Sequence, residues 1–344
     1  MEINKRILIF NVNWIGDVLF STAALRNIRR NYPDSFIACI IPGRCYPVLK
    51  NNPHLDEVII FDEHDRHKNV FSKFSFVQFL KHKNFDTAIL LHGSLTRALL
   101  CKLADIPEII GYNTKKRGWL LSKKIPVPGR DTLHRIDYYL NIIEKAGLRV
   151  EDRYLEFFIS EEDERFAAEF LGKQGITGDE AIIGINTGGN WLPKRWPREY
   201  WTKLIQLIQD QLGIKVVISG GHQDMTLAKI ISSSLINKPL ITCGMLNLKQ
   251  SAALLKRLEL FISGDSGPLH IANTVGTKKI IALFGPTHTA VTGPFPLKNV
   301  TILQKDVGCK VPCYVVGCDD NRCMKAITPE EVFAKVKTLL NEKN

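Results

Sequence analysis

The chain has 344 residues, 45% apolar and 24% charged, which excludes a disordered protein and leaves enough length for two domains with separate cores. No apolar run approaches the ~18 residues of a membrane span, and the opening residues lead straight into an apolar strand, so no signal peptide is expected. The net charge of +11 is lopsided: residues 1–150 hold 23 Lys and Arg against 14 Asp and Glu, and the remainder holds 23 against 21. A basic first half either attracts an anionic partner, such as phosphorylated lipid head groups or nucleic acid, or is a solvated Lys-rich surface.

Residues 7–12 form a continuous apolar run, as a central parallel strand requires. The run breaks at Asn13-Trp14-Ile15-Gly16-Asp17, and helical spacing follows through Ile28, ending on Arg29 and Arg30. Asp17 therefore falls at or near a helix N-terminus, at the carboxyl edge of the first strand. There it is either a helix cap favoured by the dipole or a general base. Further strands follow at 36–41, 57–61 and 87–91, with βαβ spacing. The basic, Phe-rich segment 68–83 lies between the last two; it is a crossover helix or a segment resting on a membrane surface. His92 to Arg97 opens another turn and helix, residues 109–112 read as a short strand, and Lys115, Lys116 and Arg117 follow in a polar stretch. A helix over 133–143, stopped by Gly147, closes the first half.

A charged helix with Ser160 or a neighbour as N-cap connects the halves and ends between Gly172 and Gly178. The second half starts afresh with strands at 181–186, 215–219, 261–263 and 279–284. Thr328-Pro329-Glu330-Glu331 reads as a capped start with Pro at N1 for a C-terminal helix. Three small-residue turns follow strands of this half: Thr187-Gly188-Gly189-Asn190, Ser219-Gly220-Gly221 and Gly264-Asp265-Ser266-Gly267. Each is compatible with an anionic ligand at the carboxyl edge of a parallel sheet, and Lys194 adds a positive charge. Neither a P-loop nor a G-x-G-x-x-G follows any strand, which argues against a P-loop nucleotidase and a dinucleotide oxidoreductase.

The start 13–19, the segment Trp191-Leu192-Pro193-Lys194-Arg195-Trp196-Pro197 and the turn Asp265-Ser266-Gly267-Pro268-Leu269-His270 together resemble glycosyltransferase family 9. That family contains the ADP-heptose:lipopolysaccharide heptosyltransferases, and the enzymes adding the second heptose are the nearer likeness. The resemblance extends to Phe284-Gly285-Pro286-Thr287 and to the late Cys-rich loop, so it covers essentially the whole chain. It implies an α/β fold of GT-B architecture, with two Rossmann-like domains and parallel sheets facing a central cleft. The expected division is an acceptor domain at 1–158, a linker helix at 159–180, a nucleotide-sugar domain at 181–327, and a C-terminal helix at 328–344 packing back toward the first domain.

The same resemblance implies inverting, metal-independent transfer of heptose from ADP-heptose to the inner core of lipopolysaccharide. Asp17 matches the general base and Lys194 the diphosphate-binding lysine. Ser266 and Gly267 match phosphate-contacting backbone positions, and Asp265 and His270 match the donor-site acid and histidine. Gly188, Gly189 and Asn190 fall in the donor site, with Gly189 or Asn190 by the phosphates, Leu246 by the adenine, and His222 or Asp224 near the ribose. Lys115, Lys116 and Arg117 are the candidate acceptor contacts for an anionic inner core. No cofactor and no metal are expected beyond the donor substrate. The expected protein is a cytoplasmic monomer in transient contact with the inner face of the inner membrane, with no nucleic-acid partner. The rivals are a GT-B transferase using another nucleotide sugar on another bacterial glycan and a non-catalytic nucleotide-sugar-binding protein. Cys309, Cys313, Cys318 and Cys323 lack the paired C-x2-C spacing of common zinc sites, leaving a reduced loop, disulfides or a metal open.

Overall fold

The computed structural model describes residues 4–176, 180–189 and 191–342. It divides into two compact units, Met1–Phe158 and Ile159–Asn344. The first unit runs β1 (Arg6–Phe10), α1 (Ile15–Asn31), β2 (Phe36–Ile41), α2 (Tyr46–Leu49), β3 (Glu57–Ile60), α3 (Val70–His82), β4 (Thr87–Leu90), α4 (Leu95–Leu103), β5 (Glu108–Tyr112), β6 (Lys123–Ile125) and α5 (Arg135–Lys145). All pairings are parallel, in the order β3-β2-β1-β4-β5-β6. Ile7, Leu8 and Ile9 of β1 are fully buried because helices cover both faces of the sheet. Gly147 ends the last helix in the left-handed region (φ 88°), which a glycine enters without a Cβ clash.

The second unit runs α6 (Glu161–Lys173), β7 (Ile182–Asn186), α7 (Arg198–Leu212), β8 (Lys215–Ser219), α8 (Met225–Ser233), β9 (Leu240–Ile241), α9 (Leu248–Lys256), β10 (Leu260–Gly264), α10 (Gly267–Val275), β11 (Lys279–Phe284), α11 (Thr289–Thr292), β12 (Val300–Gln304), α12 (Arg322–Lys325) and α13 (Pro329–Asn341). Its sheet is also parallel, in the order β12-β11-β10-β7-β8-β9. Counted from β7, this is the connectivity of the first sheet over again. Each sheet is one half of the GT-B fold, and each reverses its winding beside its own first strand, at β1/β4 and at β7/β10. Ligands of doubly wound sheets sit outside the carboxyl ends of the strands at that point.

Two helices outside the sheet order also belong to this unit. α6 carries the expected Ser160 cap, doubled by Asp163 in a capping box. It buries Ala167 and Leu171 and packs on α9 within the second unit. Within the second unit α13 packs on α7 and β11. Val332, Phe333 and Val336 join the second core, and Lys279 Nζ donates to the carbonyl of Leu339 at 2.7 Å. Both helices follow their apolar faces, which the nearest core claims first. Gly178, where the charged helix was expected to end, lies outside the described residues.

Candidate active site

In the first unit, the turn between β1 and α1 stands at the switch point. Trp14 is the N-cap of α1, in extended conformation and without a side-chain capping bond, and Asp17 is the third helical residue. Asp17 is thus not the cap. It is half-buried in the first turn, where the helix dipole favours the carboxylate. Tyr139 of α5 donates its hydroxyl to Asp17 Oδ1 at 3.1 Å. Burial, and then the charge of Asp17, push the Tyr139 phenol well above its ordinary range, so it stays a donor and aims the carboxylate.

The turn is braced from below. Arg97, buried in α4, donates to the carbonyl of Asn11 and to the side-chain oxygen of Asn13. Arg44 donates to the Asn13 carbonyl through Nε at 3.1 Å and Nη2 at 2.9 Å. Burial pushes Arg97 down to about 10, which still leaves it a cation at neutral pH. His92, beyond the end of β4, accepts from the Ser94 N–H at 3.1 Å. Burial, followed by Arg97, Lys115 and Arg117, pushes its imidazole down to about 3 and keeps it neutral.

The basic triplet beyond β5 splits. Lys115 and Lys116 are exposed, both at positive φ (48° and 57°), and carry their charges to solvent at the same sheet edge. Arg117 does not. It is fully buried, with Nε donating to the Tyr112 carbonyl at 2.9 Å and Nη1 to the His92 carbonyl at 2.6 Å. Its placement among the acceptor contacts is therefore corrected: the guanidinium is committed to loop carbonyls.

In the second unit, β10 ends at Gly264 and α10 begins at Gly267. Ser266, extended, turns its hydroxyl to Ser263 Oγ at 3.0 Å and makes no side-chain cap for α10. Lys194 sits at the end of a short turn after β7, with its ammonium 2.6 Å from Asp265 Oδ2. Thr292 donates to the same oxygen at 3.1 Å, and His270 Nε2 lies 3.5 Å from Oδ1. The Asp265 side chain is 4% exposed and that of Lys194 22%. Burial is the strongest influence on Asp265 and opposes ionisation, but the His270 hydrogen bond and the Lys194 charge together outweigh it and hold the carboxyl well below the usual carboxylate range.

The neighbouring turns are locked together by Asp224. Its buried carboxylate accepts from the Gly221 N–H at 2.9 Å and lies directly under Gly188, where a Cβ would stand 2.2 Å from Oδ1. Gly188 is needed for that approach, and Asp224 serves as a brace between the turns after β7 and β8. Gly189 is tied by its carbonyl to Arg195 Nε at 2.7 Å. Leu246 is half-buried beyond β9, and Asn190 lies outside the described residues. Thr187 Oγ1, at the end of β7, is buried and makes no hydrogen bond to the described residues, which suits an edge that meets a polar ligand. Cys309, Cys313, Cys318 and Cys323 are free thiols. Among the described residues no group of three or more His, Cys, Asp or Glu is placed to hold a metal ion.

The structure thus gathers Lys194, Asp265, Ser266, Gly267 and His270 at one sheet edge, and Asp17 with Lys115 and Lys116 at the other. The sequence reading missed Tyr139, Arg97, Arg44 and Thr292. Tyr139 and Thr292 carried no local signal, and the two arginines reveal their tasks only through burial and tertiary contact.

The family model described as Glycosyltransferase family 9 (heptosyltransferase) matches residues 73–320. The chain is similar to the lipooligosaccharide heptosyltransferase 2 of Haemophilus ducreyi, 25% identical over 97% of this chain and 99% of that protein. The crystal structure of a family 9 glycosyl transferase from Veillonella parvula superposes with a TM-score of 0.89 at 26% identity, covering 100% of this chain and 99% of that one. The structure of the E. coli ADP-heptose lps heptosyltransferase II shares the fold with a TM-score of 0.80 at 22% identity, over 97% and 98% of the two chains. With the family match spanning well over half its length, the chain belongs to glycosyltransferase family 9 and is a glycosyltransferase.

Proposed function

We propose that this glycosyltransferase moves heptose from ADP-heptose to the inner core of lipopolysaccharide, with inversion and without a metal ion. The observation that carries the reading is Lys194, whose ammonium lies 2.6 Å from buried Asp265 beside the uncapped start of α10. A diphosphate at that edge meets a cation and the N–H groups of a helix start, the counter-charge a departing nucleoside diphosphate needs. The choice of heptose and lipopolysaccharide is supported by the names of the H. ducreyi and E. coli relatives, which this chain matches over nearly their full length.

In the proposed reaction an acceptor hydroxyl attacks the anomeric carbon, and its proton passes to the Asp17 carboxylate. The bond from that carbon to the diphosphate oxygen breaks, its electron pair leaves with ADP, and a single displacement inverts the centre. Tyr139 holds Asp17 in place through the 3.1 Å hydrogen bond. Ser266 and Gly267 offer backbone contacts to the phosphates, one of Asp265 and His270 stands near the sugar while the other orders the turn, and Leu246 borders the adenine. Lys115 and Lys116 attract an acidic acceptor. The proposed protein works as a monomer on the cytoplasmic side of the inner membrane.

Incubating the purified protein with ADP-heptose and a heptose-deficient core acceptor, with a chelator present, tests this directly. The expected product has gained one heptosyl mass. No gain with ADP-heptose, alongside gain from a different nucleotide sugar, overturns the donor assignment.

A further inference from the structure

α3 and α4 lie side by side on one face of the first sheet. Their inner side is core: Phe76, Val77, Leu80, Ala98 and Cys101 are all buried there. The outer side is apolar as well. Val70 and Phe71 are 79% and 84% exposed and Phe74 is 62% exposed, all in the first turns of α3. On α4, Leu95, Leu99 and Leu103 are exposed at intervals of four residues, which sets them in one ridge. Scattered exposed apolar residues are ordinary, but these six, with Phe79 of α3 (40% exposed) a seventh, on two adjacent helices are a concentration of the kind that marks an interaction surface.

The charges on the same helices say what that surface meets. Lys73, Lys81 and His82 lie on α3, Lys102 lies on α4, and neither helix contains an Asp or Glu. Lys68 precedes α3 and is exposed. Among the carboxylates just outside the helices, Asp105 is paired with Lys81 at 2.5 Å. Phe and Leu flanked by lysines, on helices without a carboxylate, is the composition of a surface that settles into the head-group region of an anionic bilayer. Among the described residues no helix is long and apolar enough to cross a membrane, so the contact is interfacial. Position adds a reason: α3 follows β3 and α4 follows β4, so Val70, Phe71, Phe74 and Leu95 belong to the carboxyl edge at which Asp17 stands.

We infer that the outer face of α3 and α4 docks on an anionic lipid bilayer. This rests on the proposed function only for its purpose, bringing Asp17 to an acceptor anchored in lipid; the lipid contact is a separate, measurable property. The test is cosedimentation of the full chain with vesicles of phosphatidylcholine alone and with phosphatidylglycerol added. The double variants Phe71→Ser/Phe74→Ser and Leu99→Gln/Leu103→Gln run beside the parent. The parent is expected to bind the anionic vesicles, weakly at high salt, and each variant to bind at least ~10-fold less. Because all four side chains are exposed, melting temperatures and transfer to a lipid-free soluble acceptor should be unchanged. If parent and variants alike fail to transfer, the functional reading falls and the vesicle result still stands. A parent that ignores anionic vesicles, or variants that bind them as well as the parent, overturns the inference. So does light scattering that shows a parent dimer broken by the substitutions, which would assign the face to a second copy of the chain.

Discussion

Replacing Lys194 by Met separates two tasks of one ammonium group. In the structure its partner is Asp265, at 2.6 Å. At an effective dielectric near 20 such a contact has a gross attraction of about 6 kcal/mol, most of it offset by desolvation. Removing one member of a fully buried pair costs about 3–5 kcal/mol. Asp265 is nearly inaccessible while the Lys194 side chain is 22% exposed, so water can reach the site and the expected loss is smaller, about 2 kcal/mol in urea unfolding. With donor present the same group would face the diphosphate. Losing a charge-assisted hydrogen bond of about 1.5–3 kcal/mol weakens ADP roughly 10- to 150-fold, read by calorimetry. Asp265→Asn provides the contrast. It removes the anion that competes for Lys194, so stability falls while ADP affinity holds or rises. An unchanged ADP affinity in Lys194→Met, or an equal loss in Asp265→Asn, would refute the assignment of the diphosphate to Lys194.

Asp17→Asn should lower transfer by about 10²–10⁴-fold with ADP affinity intact, whereas Tyr139→Phe, which only unfastens the carboxylate, should cost about 10-fold in kcat. Product formation by mass spectrometry and ADP calorimetry measure both; equal turnover by Asp17→Asn ends its role as base. Gly188→Ala drives a Cβ into the buried carboxylate of Asp224 and should destabilise by about 1–3 kcal/mol, with Asp224→Gly on the same background restoring part of the loss in urea unfolding. His92 makes the first unit pH-sensitive. Its imidazole is held down to about 3 in the folded chain against about 6.5 unfolded, so between these values the unfolded state binds the extra proton. That contribution to stability is complete above about 6.5 and declines as the pH falls toward 3; a pH series of urea midpoints should flatten in His92→Gln.

The strands legible in the sequence are those whose burial on both faces leaves a continuous apolar run, such as β1, β7 and β11. β6, β9 and β12 escaped because they are short or lie at sheet edges, where one side needs no apolar cover: β6 is Lys-Lys-Ile and β9 has only two residues. The placement of the residues proposed for the donor was legible because the turns at Gly188 and Asp265 follow strands, and such a turn lies at the sheet edge whatever the rest of the chain does. Charge misled where burial decides. Lys115, Lys116 and Arg117 are one basic triplet in sequence, yet two point to water and the third closes a loop. Asp17 was visible as a helix-start acid; that it is not the cap is visible only in the fold, where Trp14 is the N-cap and Tyr139 donates to the carboxylate, and its role as base is the proposal that Asp17→Asn tests.

The repeated strand order gives the proposed division of the chemistry a structural basis. Each sheet reverses its winding beside its own first strand, and that opening is where a doubly wound sheet holds its ligand. In the first unit, that strand leads to a helix start bearing an acid and braced by arginines, an arrangement suited to taking a proton. In the second, the corresponding strand leads to glycines and Lys194, and its neighbour β10 leads to Asp265 and α10, an arrangement suited to holding an anion. Two copies of one topology thus carry unlike turns at equivalent positions. The proposed assignment of proton transfer to Asp17 and leaving-group binding to Lys194 rests on that difference: Asp265, the acid of the second unit, is buried and paired with Lys194, whereas Asp17 is half-buried and its neighbouring arginines are engaged with Asn11 and Asn13.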